Sequence, residues 1–153
     1  MKLVLILLAG LIVASAARGQ VASAPEQQIL PLLRQMDIAA NAHDTDRFMA
    51  AFLHTDRLVF VVNGRVIHGW EALREQQQKW WQNGKTDVVY TPKGASEFIV
   101  LTPDIVAVTR VFTSTRTASD GRINNSEFAV SMIWRNTSQG WRIVYDHESR
   151  TRN

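Results

Sequence analysis

A single α+β domain is the fold class this sequence predicts, and three observations carry the prediction. Helical and strand periodicities are both present but segregated: two helix-spaced stretches come first, a short hairpin and a third helix follow, and four long β-rich runs close the chain. Those last runs are separated only by tight turn signals, Pro103-Asp104, Asp120-Gly121 and Gln139-Gly140, so they read as an antiparallel meander. Finally, 153 residues with 46% apolar and 20% charged side chains suit one packed core and exclude an intrinsically disordered chain.

The elements follow in order. From Pro25, the positions Ile29, Leu32, Leu33, Met36, Ala39 and Ala40 recur at helical spacing, which predicts a first helix ending near Asn41 to His43. Asp44-Thr45-Asp46 offers a cap for a short second helix whose buried stripe is Phe48, Met49, Phe52 and Leu53. Leu58–Val62, the hairpin signal Asn63-Gly64 and the returning Arg65–His68 make a strand pair. Gly69 punctuates, and Trp70–Gln82 is rich in helix formers up to Asn83-Gly84. The strands Val88–Leu101, Ile105–Thr117, Phe128–Arg135 and Trp141–His147 complete the order ααββαββββ.

The period of two sorts the sheet into faces. Phe128, Val130, Met132 and Trp134 share one face, as do Val106, Val108, Arg110 and Phe112, and the same counting puts Trp141, Ile143, Tyr145 and His147 together. The opposite face, with Ile99, Thr109, Val111, Thr113 and Ile133, is half apolar, and three helices cannot cover both sides of so long a sheet. A homodimer through that outer face is the expectation.

Residues 1–17 read as a signal peptide: Met1-Lys2, the apolar run Leu3–Val13, then Ala14-Ser15-Ala16-Ala17 for cleavage after Ala16 or Ala17, with Gly19 as a later option. The run is too short to span a bilayer, which takes about 20 apolar residues, and with no Cys there is no lipoprotein anchor. Residues 18–25 read as a loose leader and 26–150 as the domain, secreted or periplasmic and not membrane-bound after cleavage. The absence of Cys also removes disulfides, thiolate metal sites and thiol nucleophiles. The net charge of +3 is spread without a basic cluster, so nucleic acid is not an expected partner. His43, His54 and His68 lack coordinating spacing, and neither a metal nor a cofactor is expected.

Three phrases, NAHDTDRFMAAF at 41–52, NGRVIHGWEALRE at 63–75 and WRNTSQGWRIVYDHES at 134–149, together with the element order, resemble the nuclear transport factor 2-like superfamily in its SnoaL-like branch. The resemblance covers roughly residues 26–150. It implies a cone, a curved antiparallel sheet wrapped on the first helix in a cystatin-like α+β barrel with a ligand cavity inside. It does not fix an activity, since ketosteroid isomerases, polyketide cyclases and the association domain of calmodulin-dependent kinases share this fold. Steroid isomerisation is not implied: Met36 takes the place of the isomerase tyrosine, Phe60 that of the base, and Ser131 or Met132 that of the second aspartate. The kinase association domain is similar in an inward arginine in the frame of Arg110 and a terminal His-x-Ser like His147-Glu148-Ser149.

Candidate chemistry follows from these placements. Arg110 is a charge in an apolar row, so it needs a ligand anion or a carboxylate such as Asp37, Glu97 or Glu127. His147 and Asp37 are the acid/base candidates. Tyr145, Met36, Phe60, Trp80, Tyr90, Met132 and Trp134 are expected to line a pocket for a small, mostly apolar molecule. Two functions stand: ligand binding with cofactor-free isomerase, dehydratase or cyclase-type proton transfer, and a non-catalytic oligomerisation or ligand-sensing module.

Overall fold

The computed structural model describes residues 24–150; the expected signal segment lies outside the described residues. The elements are α1 Ala24–Asn41, α2 Thr45–Met49, β1 Val59–Val62, β2 Arg65–His68, α3 Trp70–Trp80, a 3-10 turn Gln82–Gly84, β3 Val89–Thr102, β4 Ile105–Thr117, β5 Ile123–Thr137 and β6 Gly140–Arg150. The predicted order ααββαββββ is the observed one. α1 opens at Ala24 rather than after a leader reaching residue 25, with Pro25 in the first turn, where no backbone N–H is needed.

One six-stranded, curved and unclosed sheet runs β2-β1-β6-β5-β4-β3. The meander β3 to β6 is antiparallel as predicted. Asn63 and Gly64 both take positive φ, 50° and 75°, the geometry a two-residue hairpin needs. The parallel pairing of β1 with β6 has no signal in the local sequence, because it joins segments about 85 residues apart.

The concave face carries the core. Ile29, Leu33 and Met36 of α1 press on Val106, Val108, Met132 and Trp134, with Phe52 and Ile143 beside them. Burial alternates along β4 without interruption from Val106 to Ser114, so the period of two holds there.

It fails on β6, and the reason is a bulge. Trp134 pairs with Ile143 whereas its neighbour Ile133 pairs with Tyr145, which leaves Val144 as an extra residue on β6. The bulge sits where β6 changes partners. The Ile143 N–H donates to the Ala51 carbonyl at 2.9 Å and its carbonyl accepts from Leu53 N–H at 2.9 Å, while from Tyr145 onward β1 takes over. Trp141 and Ile143 therefore point inward, but the residues that continue their face are Asp146 and Glu148. The expectation that Tyr145 and His147 face the interior is corrected accordingly. Both lie on the convex side, where Tyr145 is 36% exposed.

Candidate functional site

The wide end of the sheet leaves a cavity of about 160 Å³ between the concave face, α1 and α3. Its walls are easiest to follow as rows of neighbouring strands. The innermost row is Phe60, Asp146 and Met132; the next is Val62, Glu148, Val130 and Arg110; the outermost is Arg150, Phe128 and Phe112. Met36, Asp37 and Ala40 close the cavity from α1, while Gln77, Trp80 and Trp81 close it from the third helix and its end.

Arg110 is met by Asp37. Its Nη1 and Nη2 donate to Oδ1 and Oδ2 at 2.8 and 2.7 Å in a bidentate fork. The guanidinium also lies over the Phe112 ring, 4.6 Å from its centroid. With 9% and 24% of their side chains exposed, the pair is a partly buried strut between α1 and β4. Its charges cancel, so Arg110 has no spare fork for a ligand anion, and the Asp37 oxygens are both engaged.

Asp146 is the residue the periodicity missed. It is 3% exposed, lines the cavity, and its Oδ1 has no hydrogen-bond partner among the described residues. Its strand neighbours on the same face are Phe60 and Met132, neither of which can hydrogen-bond it well. Burial, and secondarily the Glu148 charge, push the Asp146 acid well above the ordinary carboxylate range. Glu148 follows two residues on, with Oε1 accepting from Arg150 Nε at 2.8 Å. Its carboxylate thus keeps one oxygen outside that ion pair.

Tyr90 supplies a further polar group. Its backbone is clamped to the end of α1, the N–H donating to Asn41 Oδ1 at 2.8 Å and the carbonyl accepting from Asn41 Nδ2 at 2.9 Å. The hydroxyl accepts from Trp81 Nε1 at 3.1 Å, which leaves its own proton free for a ligand. The aromatic wall is ordered: Phe112 and Phe128 stack at 5.4 Å, and Tyr90 meets Phe128 edge-on at 6.0 Å.

Of the residues expected at the site, Met36, Asp37, Phe60, Trp80, Tyr90, Arg110 and Met132 line one cavity. Trp134 does not reach it: wholly buried in the main core beneath the cavity, it is not a pocket wall. Tyr145 and His147 lie outside, for the reason given by the bulge. Asp146, Glu148 and Arg150 were unanticipated, because a bulge cannot be counted from spacing. No group of three or more His, Asp or Glu side chains among the described residues could hold a metal ion.

Residues 29–152 match the SnoaL-like domain family. No curated protein matches the chain in sequence. Solved structures do share its fold. A nuclear transport factor 2-like protein of unknown function from Shewanella oneidensis MR-1 is 21% identical with a TM-score of 0.66, covering 82% of this chain and 98% of its own. A superfamily member from Salmonella enterica serovar Typhimurium is 18% identical at 0.72, over 84% of this chain and 92% of its own. The association domain of C. elegans calmodulin-dependent kinase II is 19% identical at 0.68, over 82% and 95%. At these identities the likeness is one of fold.

Proposed function

The chain belongs to the SnoaL-like domain family, a branch of the nuclear transport factor 2-like superfamily, and from that premise we propose that its cone binds a small, mostly apolar molecule and moves a proton on it without a cofactor. The single observation behind this reading is Asp146: a carboxyl group buried in a cavity wall, with an oxygen that no group among the described residues satisfies. An unsatisfied buried polar atom costs roughly 1–3 kcal/mol. A ligand oxygen would relieve it.

In this reading Asp146 acts in its protonated form and Glu148 as the ionised carboxylate two residues away on the same face. Glu148 takes a proton from carbon next to a ligand carbonyl, the C–H electron pair becomes the enol double bond, and the carbonyl oxygen receives the Asp146 proton. Return of the proton from Glu148 to a different carbon, and of the enol proton to Asp146, completes an isomerisation with both carboxyls restored. The Tyr90 hydroxyl is a second donor for the same oxygen. This assignment replaces His147 and Asp37 as acid and base.

The test uses 2-cyclohexenone in deuterated buffer, with carbon-bound exchange followed by proton NMR. The reading expects catalysed exchange that Asp146→Asn abolishes while binding persists. Failure of the cavity to bind the enone, or exchange unaffected by the substitution, would reject it. The exposed apolar residues Ile99, Val111 and Tyr145 on the convex face favour a second property, self-association through the sheet. Export of the mature domain to a secreted or periplasmic location belongs to the same proposal and rests on the Leu3–Val13 run.

A further inference from the structure

The charges lining the cavity do not balance, and the imbalance sits at one place. Inside, Arg110 is neutralised by Asp37 through its bidentate fork. Toward the opening, Arg150 is matched by Glu148. Asp146, buried and short of solvation, contributes no charge while it holds its proton. One charged lining residue is left, Arg116, near the outer end of β4 on the same inward frame as Arg110, Phe112 and Ser114.

Its guanidinium makes no hydrogen bond or salt bridge among the described residues. Asp87 lies in its field and spends Oδ2 on the Thr117 N–H at 2.7 Å. Arg150 is placed at the same opening and uses Nε for Glu148, so its terminal nitrogens remain for another acceptor. It also lies over the Phe128 ring, 5.1 Å from the centroid, which holds it against the wall.

We propose that the ligand is a planar, single-ring organic anion that enters ring first and leaves its carboxylate at the mouth, on Arg116 and the free edge of Arg150. The size follows from the cavity of about 160 Å³, since a dry apolar cavity of about 150 Å³ takes a benzene molecule. The planarity follows from the walls of Phe112, Phe128, Tyr90 and Trp80, whose faces and edges suit a flat ring. The polarity follows from charge: an inner end meeting a carboxyl proton and a hydroxyl wants a neutral oxygen, and an outer end meeting an unmatched guanidinium wants an anion. A ligand with these ends in the reverse order would bring its carboxylate against the like charge of Glu148 and away from Arg116.

This inference rests on the proposed ligand-binding cavity and deepens it. The probes are 4-hydroxybenzoate and its methyl ester, which share ring and hydroxyl and differ in the outer charge, with binding read by calorimetry and by the fluorescence of Trp80 and Trp81. The expected result is binding of the acid about tenfold tighter than the ester in low salt. Arg116→Gln should bring the acid down to the level of the ester and leave the ester unchanged, and Arg116→Lys should restore most of the difference. Equal binding of acid and ester overturns the anion site while leaving the cavity reading intact. A preference for the acid that survives Arg116→Gln overturns the assignment to Arg116. Binding of neither probe rejects the cavity reading, and this inference with it.

Discussion

Replacing Arg110 by Met is the sharpest structural perturbation available. Methionine keeps the length and volume of the side chain, so no cavity opens; what disappears is the charge and its fork. Asp37 would lose two charge-assisted hydrogen bonds of 2.8 and 2.7 Å at once and remain a carboxylate three-quarters shielded from solvent. Breaking a buried pair from one side costs about 3–5 kcal/mol, and the partial exposure of Asp37 puts this case at the lower end. Loss of the cation–π contact with Phe112 adds roughly 0.5–1 kcal/mol. A total of about 3.5 kcal/mol lowers the melting temperature of a domain of roughly 125 residues by about 14 °C, at about 4 °C per kcal/mol. Thermal unfolding by circular dichroism is the assay. The double variant Asp37→Leu/Arg110→Met, which strands no charge, should recover most of the loss. An Arg110→Met protein that melts with the wild type would refute the view that this pair is a structural strut, and would return Arg110 to the role of a ligand clamp.

Three other outcomes are expected. Asp146 has its carboxyl raised in the folded state, so the native form binds more protons than the unfolded one and stability falls as pH rises above the unfolded carboxylate range, about 4; Asp146→Asn, which has no proton to lose, should flatten that slope, measured by urea unfolding across pH. Light scattering at micromolar concentration should give a dimer mass, because the convex face exposes Ile99 and Val111, and a monomer mass would count against that face as an interface. N-terminal sequencing of the exported protein should begin between Ala17 and Ala22, and recovery of Met1 from that fraction would contradict cleavage.

Most of the fold is legible in the chain because its signals are local. The boundaries of β4 fall at Ile105 and Thr117, the run marked off by the flanking turn signals, and Asn63-Gly64 marks its hairpin outright. Arg110 could be placed inward from its neighbours, with Asp37 among its possible partners, although only the helix–sheet packing chooses Asp37 over Glu97 or Glu127. The site was less legible on β6. A single extra residue, Val144, flips every later side chain to the other face, so counting from Trp141 and Ile143 selects Tyr145 and His147 where the strand presents Asp146 and Glu148. That bulge is set by two separate segments, 51–53 and β1, sharing one edge of β6, a tertiary fact without a local residue signature. Trp134 was misplaced differently: its face is right, but its depth along the strand puts it in the core, below the cavity.

The central claim is that Asp146 presents a proton-bearing carboxyl inside the cavity, and carbon-13 NMR of the aspartate side chains tests it most directly. The Asp146 resonance, assigned by its loss in Asp146→Asn, should keep the shift of a neutral acid to higher pH than the surface aspartates and move to that of a carboxylate only after they have titrated. A resonance titrating together with the surface aspartates would contradict it.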